Sequence, residues 1–115
     1  MVMMHYPRCG VCRRVLEYLD RHFSDHKVVH YVLHPPSEAE WGEICRKLGS
    51  RPRELLRLDS PLVKTRWGNS ELSDEEWLSI VVRYPQLVRR PIVMDDDWAV
   101  IPRSPEELAT YLVDR

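Results

Sequence analysis

The stretch His5-Tyr6-Pro7-Arg8-Cys9-Gly10-Val11-Cys12-Arg13-Arg14 decides how this chain reads. The short apolar run Val2 to Met4 leads into it, and Val15, Leu16, Tyr18 and Leu19 follow at helical intervals. A strand, a tight loop holding Pro7 and Gly10, and then a helix is the simplest reading. Such a junction puts Cys9 at the mouth of a helix N-terminus, where unpaired backbone N–H groups and the positive dipole end favour negative charge. A thiol placed there ionises more readily than the pKa of ~8.5 of a free cysteine, and the thiolate is the nucleophilic form. Arg8, Arg13 and Arg14 push the same way.

Cys9 and Cys12 make a C-x-x-C pair. Beside a β-α-β pattern in a chain with no sign of secretion, such a pair reads as a thioredoxin-like redox motif. Two other readings compete. The pair could be half a zinc site, but a closed structural site usually takes four ligands. Only Cys45 remains, and it falls on the apolar stripe of another helix, where a small core residue is the simpler assignment. The pair could also be buried and inert.

Working outward, residues 2–6 read as a buried strand and residues 10–23 as a helix that fades at Ser24-Asp25-His26. Residues 28–33 are β-branched and aromatic and read as a second strand, parallel to the first through a right-handed crossover. Pro35-Pro36 stops it. Ser37 with Glu40 forms a capping box for a helix carrying Trp41, Ile44, Cys45 and Leu48 and ending at Gly49. Pro52 opens a short helical turn over residues 53–57, and residues 59–72 read as irregular. Ser73 with Glu76 caps a further helix bearing Trp77, Ile80, Val81 and Tyr84, which Pro85 ends. Residues 91–94 and 98–101 flank Asp95-Asp96-Asp97 as a hairpin, the Asp run serving as turn rather than calcium loop. Ser104-Pro105-Glu106-Glu107 starts a last helix. The order β-α-β, helical middle, β-β-α predicts an α/β fold: a thioredoxin-like, glutaredoxin-like four-stranded mixed sheet with a helical insertion.

Composition narrows the class. A chain of 115 residues supports one packed domain. Lys plus Arg total 17 against 18 acidic residues, so charge gives no reason to expect a nucleic-acid partner. No apolar run approaches the ~20 residues needed to cross a bilayer, and Met1 to Met4 is too short for a signal peptide. Three cysteines, an odd number, fit a reducing cytoplasm better than a disulfide framework. His22, His26, His30 and His34 recur every four residues but span helix, turn and strand, so no metal site is expected from them.

Five segments in order resemble the arsenate reductase (ArsC) family that works with glutathione and glutaredoxin. His5-x-Pro7-x-Cys9 resembles its nucleophile loop, and Tyr31 through Ser37 its second strand with the Pro-Pro turn. Leu55-Leu56-Arg57, Arg89-Arg90-Pro91-Ile92-Val93 and Ala99-Val100-Ile101-Pro102-Arg103 resemble the segments that carry its three anion-binding arginines. The resemblance implies one ArsC-like domain over residues 1–115, with the helical insertion over residues 37–86. It also implies Cys9 as the nucleophile, His5 as its supporting histidine, and Arg57, Arg90 and Arg103 as oxyanion ligands. The peptide before Pro91 is expected to be cis on the same ground. The reaction implied is reduction of arsenate or a similar oxyanion, with glutathione as co-substrate, glutaredoxin as partner and no bound cofactor. A cytoplasmic monomer is expected.

Independent chemistry agrees with this: a multiply charged tetrahedral oxyanion needs converging donors, and the planar fork of Arg matches its geometry. Cys12 departs from the pattern, since glutaredoxin-linked arsenate reductases commonly have serine or another residue there. A C-x-x-C at this place resembles Spx, a related redox-sensing regulator that binds the RNA polymerase α subunit. A glutathione-dependent thiol reductase of the same family is the third reading.

Overall fold

The computed structural model describes residues 1–68 and 70–114. The chain divides into two compact units. One combines Met1–His34 with the chain from Arg90 onward; the other is Pro35–Arg89.

The first unit is built on a four-stranded sheet in the order β2-β1-β3-β4. Strand β1 is Val2–His5, β2 is Lys27–His30, β3 is Ile92–Met94 and β4 is Ala99–Val100. β1 runs parallel to β2, with Met3 opposite Val28, and antiparallel to β3, with Met3 opposite Val93. β3 turns antiparallel into β4. The connection from β1 to β2 is helix α1, Gly10–His22, as parallel pairing requires. The mixed, thioredoxin-like sheet and its flanking helices are those the segment order predicts.

The periodicity of α1 explains its packing. Cys12, Val15 and Leu19 fall on one stripe and are all fully buried, joining Met3, Val93, Trp98 and Leu108 in one core. Leu108 comes from the last helix, Pro105–Asp114, whose start is capped by Ser104: its Oγ accepts from the Glu107 N–H at 3.0 Å. Burying side chains of this size stabilises the fold by about 1.5–3 kcal/mol each.

Several strand boundaries differ from expectation. β2 ends at His30 rather than at residue 33, because the chain turns there: the N–H groups of Leu33 and His34 both donate to the His30 carbonyl. Tyr31, read as part of the strand, is instead buried in that turn. The hairpin strands are shorter than read, and the Asp95 N–H closes their turn on the Trp98 carbonyl at 3.0 Å.

The second unit is helical. Its first helix, α2, is Glu38–Leu48, and its capping box is complete: Ser37 Oγ accepts from the Glu40 N–H, and the Glu40 carboxylate accepts from the Ser37 N–H. Gly49 ends α2 at φ 67°, a left-handed cap that glycine adopts without strain. A 3-10 turn, Pro52–Leu55, follows. Residues 59–72, read as irregular, contain a helix, α3, Pro61–Trp67. Pro61 supplies its first position, but only Val63 is buried, so the apolar period that announces a helix is missing. Asn69 lies outside the described residues. Helix α4, Asp74–Arg83, repeats the capping box with Ser73 and Glu76. Leu56 and Val88 form a bridge that aligns the Arg57 and Arg89 segments, the Arg57 N–H donating to Leu87 and the Arg89 N–H to Leu55. With α2, α3 and α4 so placed, the last helix of the chain is α5. Among the described residues, no helix is long and apolar enough to cross a membrane.

Candidate functional site

The loop after β1 is wound tightly before α1 begins. The Cys9 N–H donates to the Tyr6 carbonyl at 3.0 Å, and Arg13 reaches back to donate to the Pro7 carbonyl at 2.8 Å. Cys9 is the N-cap of α1, with φ −94° and ψ 121°. Its sulfur takes the place that a serine oxygen occupies at α2 and α4: Sγ accepts from the Cys12 N–H at 3.4 Å. Cys9 and Cys12 are both free thiols.

The surroundings of the two sulfurs pull their acidities apart. Partial burial of Cys9 works against the charged form. The Cys12 backbone N–H, the Cys12 thiol and the Arg90 guanidinium all hydrogen-bond to its sulfur and outweigh that cost, holding its pKa below the ordinary 9.0. Cys12 is fully buried, and burial pushes its pKa up to about 12, with the neighbouring Cys9 charge adding to the rise against the pull of the Tyr6 backbone and Arg90. Cys9 is therefore the more acidic of the two thiols, and Cys12 is the neutral donor beside it.

Arg90 precedes Pro91, and the peptide between them is cis. Its guanidinium carbon lies 4.6 Å from the centroid of the Tyr6 ring, a cation–π contact. The same guanidinium hydrogen-bonds the phenol of Tyr31. Tyr31 is 1% exposed, and burial pushes its own pKa up to about 12 although Arg90 draws it down.

His5 sits at the end of β1, opposite His30 of β2. Burial, then the charges of His30 and Arg13, lower its pKa, so it is neutral at pH 7. Its Nδ1 is buried with no hydrogen-bond partner among the described residues.

The structure thus brings Cys9, Cys12 and Arg90 together, with His5 close by in the same unit. It places Arg103 differently: that side chain is 88% exposed and pairs with Glu107 on α5 at 3.3 Å. Arg57 is an exposed residue of the helical unit. Tyr6 and Tyr31 are the neighbours of Arg90 that the sequence did not announce; the one signal available was that each is an aromatic residue inside a matched segment. Among the described residues, no three His, Cys, Asp or Glu side chains are grouped to hold a metal. Of the spaced histidines, His26 bonds Asp20 at 2.8 Å and the Phe23 carbonyl at 2.9 Å.

A family model described as the ArsC family matches residues 4–111. The chain belongs to the ArsC family. Among ArsC relatives, an arsenate reductase of Neisseria meningitidis is 30% identical over 112 residues, covering 96% of each chain. The Escherichia coli protein YfgD, described as uncharacterized, is 34% identical over 106 residues, covering 90% of this chain and 89% of its own. The solved structure of an arsenate reductase from Vibrio cholerae superposes with a TM-score of 0.85 at 30% identity, covering 95% of this chain and 94% of that one. The ArsC match takes in Cys9, Cys12, Arg57, Arg90 and Arg103, the residues that the sequence reading singled out.

Proposed function

We propose that this ArsC-family chain is an arsenate reductase of the glutathione- and glutaredoxin-dependent type. The observation that carries the reading is the convergence of a helix N-terminus and the Arg90 guanidinium on the Cys9 sulfur. That arrangement stabilises a thiolate and, at the same point, attracts a tetrahedral oxyanion. The Cys9 thiolate attacks arsenic(V) and expels hydroxide. Glutathione reduces the adduct, its electron pair taking arsenic to the trivalent state, which leaves as arsenite. Glutaredoxin resolves the mixed disulfide that remains. Arg90 is bonded to the sulfur and is the first ligand for the oxyanion; the family resemblance adds Arg57 and Arg103. The Arg103–Glu107 pair is an exposed i,i+4 contact worth little, about 0.3–0.5 kcal/mol, so giving it up to an anion costs little. His5, buried at the end of β1 with its charged form disfavoured, is the supporting histidine of the loop that follows it.

Purified protein given arsenate, glutathione and glutaredoxin should release arsenite, and Cys9→Ser should abolish the release. Absence of turnover in the unmodified protein under those conditions rejects this reading.

The contact between the Cys12 thiol and the Cys9 sulfur favours a second reading, that of a redox-sensing regulator in which the pair closes to a disulfide and changes binding to the RNA polymerase α subunit. Mild peroxide followed by mass spectrometry, with a pull-down on that subunit, tests it; a pair that stays reduced and binds nothing removes it. A glutathione-dependent thiol reductase uses the same Cys9 and is separated from the first reading by which substrate turns over.

A further inference from the structure

We propose that Tyr31 is a positioning residue for Arg90: its buried phenol, together with the Tyr6 ring, fixes the guanidinium over the Cys9 sulfur. The effect of Tyr31 on arsenate turnover rests on the function proposed above; its effect on the Cys9 thiol does not. The chain gives Arg90 three contacts in one small volume. The Tyr6 ring lies 4.6 Å from the guanidinium carbon in a cation–π contact. The Tyr31 phenol and the Cys9 sulfur take its N–H donors.

Tyr31 suits this task by its placement. It follows β2 immediately, in the turn closed on the His30 carbonyl, and it is 1% exposed. A buried phenol retains its body through packing and requires a partner for its oxygen. Guanidinium can only donate, so the phenol oxygen is the acceptor in their bond. A phenol that accepts there keeps its own proton, and a neutral acceptor does not neutralise the arginine. An Asp or Glu in its place would hold Arg90 as firmly but would cancel the charge that the thiolate needs. The phenol therefore gives orientation without taking away field. Arginine loses much rotamer freedom when it is fixed, and a rigid partner present before the substrate arrives meets part of that cost in advance.

The experiment is a thiol titration on the intact protein, with Tyr31→Phe, Arg90→Gln and the double variant. The rate of Cys9 alkylation by iodoacetamide is followed against pH, with Cys12 and Cys45 separated by peptide mass. Tyr31→Phe should raise the Cys9 pKa by about half a unit to one unit, which lowers alkylation below that pKa about threefold to tenfold. In the Arg90→Gln background the same substitution should change nothing, because its effect passes through Arg90. A Tyr31→Phe titration that matches the unmodified protein, or an equal effect in both backgrounds, overturns the proposal. Nuclear magnetic resonance of the unmodified protein tests it even if the variant fails to fold: the Arg90 guanidinium should show slowed rotation and separate Nη signals, and a single averaged signal overturns it. Where arsenate turnover is present, Tyr31→Phe should raise KM for arsenate more than it lowers kcat. Alkylation needs no arsenate, so loss of the reductase reading and loss of this one are told apart.

Discussion

The N-terminus of α1 and those of α2 and α4 are the same device put to opposite uses. Each presents unpaired N–H groups and a partial positive charge. At α2 and α4 a serine oxygen and a glutamate fill that end from within, and Glu38, Glu40, Asp74, Glu75 and Glu76 line the first turns. At α1 the cap is a sulfur, the first turn has no acid, and Arg13 stands where an acid would be favoured. Helices α2 and α4 have used up their terminal field on stability. α1 has left its field to a group that can react, and Arg90 reinforces it. A helix start without acids is informative because its neighbours show what an optimised start looks like.

The largest break in that contrast is Cys9→Ser, which converts the reactive start into the structural kind. Arsenite release should fall to the uncatalysed background, while the thermal midpoint holds or rises, since serine caps at least as well as a thiol. Loss of activity together with loss of the fold would count against the comparison. Next in size, Arg90→Gln removes the added cation. A charged hydrogen bond is worth about 1.5–3 kcal/mol, so kcat/KM should fall about tenfold to a hundredfold and the Cys9 alkylation profile should move toward higher pH.

A third test uses pH and stability. The ordinary thiol value is 9.0, and burial holds folded Cys12 to about 12. Its pKa is raised on folding, so below 9.0 both states keep the proton and nothing is lost. Above 9.0 the unfolded chain releases a proton that the folded chain retains, and stability falls as pH rises toward 12. Tyr31 adds to the same trend from an ordinary 10.0. Denaturant unfolding at pH 8 and pH 10.5 should show the drop, and Cys12→Ala should flatten part of it. Smallest is Ser73→Ala, which should cost about 1 kcal/mol by urea unfolding and leave Cys9 alkylation as it was.

The sequence carried most of the fold because its signals were local. The serine boxes at Ser37 and Ser73, the apolar stripe of α1 and the Asp turn of the hairpin each lie within a few residues of the structure they specify. α3 escaped because a mostly exposed helix has no stripe to read, and β2 was overextended because an apolar, aromatic run looks the same in a strand as in a buried turn. At the site, the cap position of Cys9 was legible from spacing alone. The link from Arg90 to Tyr6 and Tyr31 was not, since it joins residues that are brought together by strand order and nothing in their spacing marks it. Arg103 shows the converse: a motif supplies a position, whereas the partner that its side chain takes, here Glu107, depends on its immediate neighbours.

The strand order has a consequence for how the protein is made. β1 is central, yet one of its neighbours, β3, comes from residues 92–94. As the chain emerges from the ribosome, β2 can zip onto β1 early, but the opposite edge of β1 stays open until residues 92–94 follow, exposing a row of backbone donors and acceptors meanwhile. Arg90 arrives only with that late segment. The nascent chain therefore carries its sulfur without the cation that sharpens it, and the thiol reaches full nucleophilicity only as the sheet is completed.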